Sequence, residues 1–386
     1  MILQNLKRKL KNLKKKSSYD VVLDLSFGDN GKGRVVDWLS GERKNPLVIR
    51  FNGGHQAGHH VIHNKISHVF SNFGSGTLRG VPTYWSKHCT VDPEGLLKEL
   101  GILIGKGIDP EIFISSHAPV TTPLDKEFNQ NQELITKHGS VGVGFGTTIK
   151  REQDHYSFKF LDIFYEPILL YKIRMVEKYY NKKTDWKKFL GACEELREDF
   201  YDYAVRLHIG TDIPDGFDSY IYESAQGLLL DQDLGFFPHV TRSNTGMKNI
   251  SLPESAEPTV WIVTRAYQTR HGTGPMTNLD HYNNEFILEN KYEQNKMHVW
   301  QGNFRKTVLD LSLLEYSFNI HKLKNVADRR LVITCVDNLK KYCLTYCDID
   351  YEFDTLKEFV EMIAHVLETS KVYISRSPEG TIYKFS

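Results

Sequence analysis

Three observations predict an α/β fold with a mainly parallel sheet. Short apolar segments that read as strands alternate with helix-like stretches along the chain. Glycine-rich runs follow several of these strands directly, an arrangement that α/β proteins use to hold phosphate. The 386 residues are 40% hydrophobic and 25% charged, enough apolar material for a substantial core.

The first 18 residues are basic, with leucines at positions 3, 6, 10 and 13. They read as a solvated extension, with an amphipathic helix touching an acidic partner or a membrane surface as the alternative. The stretch lacks the apolar core of a signal peptide, and no run is long and apolar enough to span a membrane. A cytoplasmic protein without a membrane span is expected. Residues 19–386 contain no internal repeat or long linker and read as one elaborated domain. The formal charge of +1 provides no global field for nucleic acid, so no such partner is expected. The cysteines form no CxxC pair. Cys343 and Cys347 are spaced like half a metal site, but no second pair completes one, and reduced thiols are the expectation.

The first strand, Val21 to Leu25, runs into Phe27-Gly28-Asp29-Asn30-Gly31-Lys32-Gly33-Arg34, and a helix from Arg34 to Leu39 leaves it. Glycines let backbone amides approach an anion, and the helix N-terminus adds partial positive charge. Lys32 offers a full charge, and Asp29 a ligand for Mg²⁺ or a base. The run is not a Walker A loop, because Ser26 and Gly33 stand where glycine and Ser or Thr are needed, and the GxGxxG fingerprint fails as well.

Pro46 to Phe51 reads as the second strand. It ends in Asn52-Gly53-Gly54-His55-Gln56-Ala57-Gly58-His59-His60. The histidine spacing would suit zinc on a helix, but three glycines disfavour a helix. A flexible active-site loop in which one histidine moves protons is preferred. His68 to Phe73 is strand-like, Asp92-Pro93-Glu94 opens a helix to about Gly105, and Glu111 to Ser115 is another strand. A second glycine-rich loop spans Gly139 to Thr148, and a helical excursion packed on the sheet is expected over about 160–207. Further candidate segments are Glu223 to Asp231, Phe237 to Thr245 and Tyr267 to Pro275. A strand, Thr259 to Arg265, leads into the last of these, and a final strand, Leu331 to Thr334, precedes Cys335-Val336-Asp337.

With these segments in order, the sequence resembles the adenylosuccinate synthetase family. The matching pieces are FGDNGKGRVVDWL, RFNGGHQAGHHV, GSVGVGFG, ESAQGLLLDQDLGFFPHVTRSNT, TRAYQTRHGTGP and VITCVD, over about residues 20 to 340, with a weaker echo at the C-terminus. Residues 150–215 and 276–300 match only loosely. The resemblance implies a large, mostly parallel central sheet with helices on both faces and phosphate-binding loops at strand C-terminal ends. It also implies a ligase that joins L-aspartate to C6 of a 6-oxopurine nucleotide, usually IMP, using GTP and Mg²⁺. A homodimer is implied as well, because family sites borrow an arginine across the interface.

Carried over position by position, the resemblance makes Asp29 the base at N1 and an Mg²⁺ ligand, with the Gly58 carbonyl as a second ligand. His59 is the acid beside the transferring phosphoryl group. Lys32 and the amides of Gly28, Asn30, Gly31 and Gly33 meet nucleotide phosphates. Gln226 bonds the 6-phosphoryl group, Thr241 the 5′-phosphate, and Asp337 the guanine of GTP.

Several positions depart from the family pattern. Gln56 stands for asparagine near the 5′-phosphate, Ser140 and Val141 for two threonines, and Val143 for an arginine. The partner-facing arginine has no clear counterpart, although Arg151 lies close by. Arg242 stands where serine is common and can restore a positive charge. In the aspartate loop, Asn303 replaces an arginine while Arg305 remains, and Cys335 replaces a lysine beside the guanine, so ATP is an alternative donor. IMP is the expected substrate. A phage-type enzyme acting on dGMP or GMP is one alternative, and a catalytically weak purine-nucleotide sensor is another.

Overall fold

The computed structural model describes residues 17–202, 206–295, 297, 299–377 and 379–385, so nearly all of the predicted basic extension lies outside the described residues. The chain begins with β1 (Ser18–Asp24), α1 (Lys32–Glu42) and β2 (Pro46–Arg50). A hairpin, β3 (His59–His63) and β4 (Ile66–Phe70), precedes β5 (Thr83–Trp85), α2 (Pro93–Gly105) and β6 (Glu111–Ser115). Four helices follow: α3 (Pro123–Thr136), α4 (Phe145–Gln153), α5 (Glu166–Tyr180) and α6 (Lys187–Asp202). Next come β7 (Arg206–Gly210), β8 (Ser219–Gly227), β9 (Thr259–Arg265) and the hairpin strands β10 (Gln268–His271) and β11 (Phe304–Thr307). The chain closes with β12 (Leu309–Asp310), α7 (Leu311–Ile320), β13 (Asp328–Thr334), β14 (Tyr342–Tyr346), β15 (Ile349–Phe353), α8 (Leu356–Val366), β16 (Val372–Ser375) and β17 (Tyr383–Lys384).

Ten strands form the central sheet in the order β17-β16-β13-β9-β1-β8-β2-β5-β6-β7. All its pairs are parallel except β16 with β17. Strand β1 shows why both faces are covered. Val21 and Leu23 pack with Leu311, Leu314 and Phe318 of α7 and Phe359 and Ile363 of α8. Val22 points the other way, into a cluster with Val35, Val36 and Leu39 of α1. Because side chains alternate across a strand, a sheet buried on both faces needs an almost continuous apolar run, and VVL supplies it.

The helical excursion is present as α5 and α6, whose Leu169, Ile173, Phe189 and Leu196 join Leu96, Leu100 and Leu103 of α2 in one core. Its last residues depart from the expectation. Arg206 and Leu207 belong to β7, paired with β6 at the sheet edge, because backbone pairing there outweighs the local helical period. The expected flexible histidine loop is also partly regular. His59 and His60 open β3, paired with Phe70 and Val69 of β4.

Candidate active site

Strands β13, β9, β1, β8 and β2 are consecutive neighbours, and the segments singled out from the sequence leave their C-terminal ends, except the second glycine loop, which joins α3 to α4. Parallel pairing brings those ends to one edge of the sheet, where ligands of open α/β sheets bind. They surround a cavity of about 1140 Å³. Asp29, Lys32, His59, Gln226, Gly28, Gly31, Gly33, Gln56, Gly58, Ser140, Val141, Thr241, Arg242 and Asp337 line it. Asn30, Asn303 and Arg305 do not.

The first glycine loop is bent through left-handed backbone at Gly28 (φ 104°), Asp29 (φ 61°) and Gly31 (φ 89°). Left-handed backbone is costly for a residue with a Cβ, so the loop stores strain at Asp29. The Asp29 carboxylate faces the cavity and takes no hydrogen bond among the described residues. Burial raises its proton affinity above that of an ordinary aspartate, with Lys32 and Arg265 opposing. Arg265 Nε donates to the Asp29 carbonyl, 2.5 Å away, and Arg265 is paired with Glu293 at 2.6 Å. Asn30 turns inward instead, its Nδ2 donating to Asp24 and Ser26. Lys32 is buried 2.9 Å from the Asp24 carboxylate.

Helix α1 approaches β3 closely through Gly33, where a Cβ would meet the Cβ of His59 at 2.8 Å. His59 is buried, with Nδ1 2.5 Å from Glu223 Oε1 and Nε2 3.4 Å from the Ala225 carbonyl. Glu223 also accepts from the Ser75 hydroxyl and, at 3.0 Å, from the Ser75 amide. Burial opposes its charge, yet His59, Arg50 and Ser75 together hold the Glu223 carboxyl at about 2. Burial lowers the proton affinity of His59, and Glu223 acts against that. Glu223 therefore fixes the ring through Nδ1 and leaves Nε2 as the candidate for proton transfer.

Gln56 and Gln226 flank Gly53. A Cβ on that glycine would sit 3.0 Å from Gln226 Nε2 and 3.2 Å from Gln56 Nε2. Neither amide has a hydrogen-bond partner for its buried oxygen or nitrogen among the described residues. Unpaired buried amides are costly, which makes both candidates for binding a ligand.

Helix α3 holds the second glycine loop. Asn129 donates to Ser140 at 2.8 Å and accepts from the Gly144 amide at 3.0 Å, and Glu133 accepts from the Gly139 amide at 2.8 Å. Arg242 is exposed and lies over this loop, its Cδ 3.5 Å from the Cβ position of Gly146. Arg151 cannot be the partner-facing arginine. It is fully buried and holds Asp125, Val120 O and Tyr156 O within its own chain.

The hairpin of β10 and β11 packs on the first loop. Thr269 donates to the Gly28 carbonyl, and Arg270 covers the Phe27 ring at 4.0 Å. Arg305 is spent within the hairpin, its Nη2 donating to the Gly272 carbonyl at 2.6 Å and the Gly274 carbonyl at 3.1 Å. Asn303 is exposed, and its carbonyl accepts from the Gly272 amide. Cys335 and Asp337 reach the opposite wall from the end of β13, joined by Ser375 and Arg376. Asp24, Arg265 and Glu293 were not among the residues singled out from the sequence. A lone acid inside the apolar run VVLDL is the one signal that marks Asp24.

Fold and site together define an α/β enzyme built on glycine loops at the switch point of a parallel sheet. The model of the adenylosuccinate synthetase family matches residues 21–379, and the chain belongs to that family, whose members are C–N ligases. It is 27% identical over 371 residues to adenylosuccinate synthetase of Thermoplasma volcanium, covering 91% of this chain and 83% of that protein. The enzyme of Borrelia recurrentis is also 27% identical, over 380 residues, with 91% and 86% covered. The solved structure of fully ligated adenylosuccinate synthetase from Plasmodium falciparum has the same fold, with a TM-score of 0.79 at 18% identity, covering 96% of this chain and 100% of that one. The cyanophage S-2L succinoaminodeoxyadenylate synthetase, solved with dGMP and dATP, has a TM-score of 0.62 at 15% identity, with 95% of each chain covered.

Proposed function

We propose that this ligase joins L-aspartate to C6 of a 6-oxopurine nucleotide, with IMP as the nucleotide and GTP as the phosphoryl donor, in purine nucleotide synthesis. The observation that carries the reading is the meeting of Asp29, His59, Lys32 and Gln226 around one cavity with both glycine loops.

A ring carbonyl oxygen is a poor leaving group, so it is phosphorylated before the amine displaces it. Asp29 takes the N1 proton, and its raised proton affinity suits a base. O6 then bonds to the γ-phosphorus while the bond to the bridging oxygen breaks and the nucleoside diphosphate leaves. His59 donates from Nε2 to the transferring phosphoryl group, with Glu223 balancing the charge on the ring. Gln226 bonds the 6-phosphoryl oxygens. The aspartate amine bonds to C6, the C6–O bond breaks, and phosphate departs with loss of the amine proton. Thr241, Arg242, Ser140 and Gln56 serve the nucleotide phosphate, the Val141 backbone flanks them, and Asp337 serves the base of GTP. For L-aspartate, Asn303 and Arg305 act at the hairpin that they brace, not from the cavity wall.

Mg²⁺ fits this site. Among the described residues no cluster of three or more His, Cys, Asp or Glu could hold a metal alone, and Mg²⁺ is commonly held by one or two carboxylates with substrate phosphates. Asp29 and the carbonyl of exposed Gly58 would hold it. When bound it neutralises charge on the phosphoryl group. A homodimer is proposed on the family resemblance alone.

A second reading takes dGMP, the nucleotide named for the cyanophage enzyme. Arg242 over the second glycine loop and Asn303 in place of an arginine favour it. The test is phosphate release with Mg²⁺, L-aspartate and GTP or ATP, adding IMP, dIMP, GMP or dGMP in turn. Turnover with IMP alone supports the first reading, and turnover with dGMP the second. Binding without turnover for all four would leave a nucleotide sensor.

A further inference from the structure

Asp24 closes β1 in the run VVLDL and is fully buried. A carboxylate removed from water is costly unless charged partners and hydrogen bonds surround it. Here they do. Oδ1 accepts from the amides of Ser26 at 3.1 Å and Gly28 at 3.3 Å and from Asn30 Nδ2 at 2.6 Å. Oδ2 accepts from the Asn30 amide at 3.2 Å and from Lys32 Nζ at 2.9 Å.

These donors are the kind that a glycine loop aims at a bound phosphate. In this chain the amides at 26, 28 and 30, together with the loop lysine, hold an anion that the chain itself supplies. Helix α1 by contrast has no side-chain cap and no acidic residue in its first turn, so its first amides remain for a ligand. The loop is divided into an inward half that grips Asp24 and an outward half that opens on the cavity.

We propose that Asp24 is a positioning residue, an internal counter-anion that holds the first glycine loop and Lys32 in place before nucleotide arrives and offsets part of the lysine charge. This rests on reading the site as one that uses a nucleoside triphosphate. A triphosphate must then share Lys32 with Asp24. Affinity is lower than an unpaired lysine would give, and the lysine starts from a set position.

The first test uses the unmodified, nucleotide-free protein with ¹⁵N-labelled lysine. A buried, paired ammonium exchanges its protons slowly, so Lys32 gives a protected NMR signal, identified by its loss in Lys32→Met. A protein with no protected lysine signal overturns the proposal, whether or not any variant folds. The second test compares GTP affinity by calorimetry with kcat. Asp24→Asn is expected to tighten GTP binding about tenfold, the scale of one hydrogen bond to a charged group, and to lower kcat about as much. In the Lys32→Met background the change in affinity disappears. An equal change in both backgrounds, or a fall in Tm with unaltered affinity and kcat, overturns the proposal. A parent protein that binds neither GTP nor ATP sinks the functional reading instead, while the lysine signal still decides the pair.

Discussion

Glu223 Oε1 lies 2.5 Å from Nδ1 of His59, and both side chains are buried. The pair joins the middle of β8 to the start of β3 and leaves Nε2 as the ring nitrogen proposed to meet the phosphoryl group. Glu223→Gln keeps the shape and removes the charge, so kcat is expected to fall about 10²-fold, the lower range for a general acid that loses its support. The carboxyl is held at about 2, below its ordinary value. A depressed carboxyl stabilises the fold above its unfolded pKa and loses that contribution as pH falls through the folded one. Denaturant titrations should therefore find the parent more stable than Glu223→Gln near neutral pH, with the gap closing from about pH 4.5 to 2.

Asp29 has the opposite sign. Burial raises its carboxyl, so the folded state binds a proton more tightly than the unfolded chain and the ionised form costs stability near neutral pH. Asp29→Asn should raise Tm while turnover falls by about 10²–10⁴-fold, with nucleotide binding kept. In the parent, kcat/KM rises with pH through the raised Asp29 value. A variant that loses both stability and binding would count against the base.

Among the described residues, both side-chain polar atoms of Gln226 are buried without a hydrogen-bond partner. Replacing such a group with an apolar one of similar shape is close to neutral for stability. Gln226→Leu is expected to leave Tm unchanged and to lower kcat about 10²-fold, as for loss of one oxyanion donor. Thermal unfolding and steady-state rates on one preparation check both halves.

Arg242 is exposed above the second glycine loop, so the role proposed for it at the nucleotide phosphate is electrostatic rather than structural. Arg242→Ala should raise the nucleotide KM sharply, with little change in kcat or Tm. An unchanged KM would remove it from the phosphate site.

Arg151 provides a contrasting case, since its guanidinium is fully buried against Asp125. Arg151→Met leaves that carboxylate unpaired and should cost about 3–5 kcal/mol, measured by denaturant unfolding. If Arg151 served a partner's site, mixing this variant with a separately inactive one would alter shared activity; no such effect is expected.

Strands β1, β2, β6, β9 and β13 were readable because a strand buried on both faces needs a continuous apolar run, as in VVL and WIV. Arg206 and Leu207 were not, because an edge strand forms through pairing with β6 and carries weak local pattern of its own. Among site residues, Asp29, His59 and Gln226 stood in glycine-rich or motif-bearing segments, where a polar residue at a strand end points to chemistry. Arg305 and Asn30 stood in the same kind of segment, yet they turn into the protein and hold backbone or Asp24.

Sequence alone determined the α/β class, the order of the loops and the residue types available for proton and phosphate work, because these follow from local pattern and spacing. Only the tertiary structure decided which of those side chains face the cavity and which are spent on one another. Asp24 with Lys32, Glu223 with His59 and Arg265 with Glu293 are partners separated by 8 to 164 positions. Their meeting depends on where parallel strands end and how tightly a loop bends, and neither distance nor direction in space is written in the identity of a single residue.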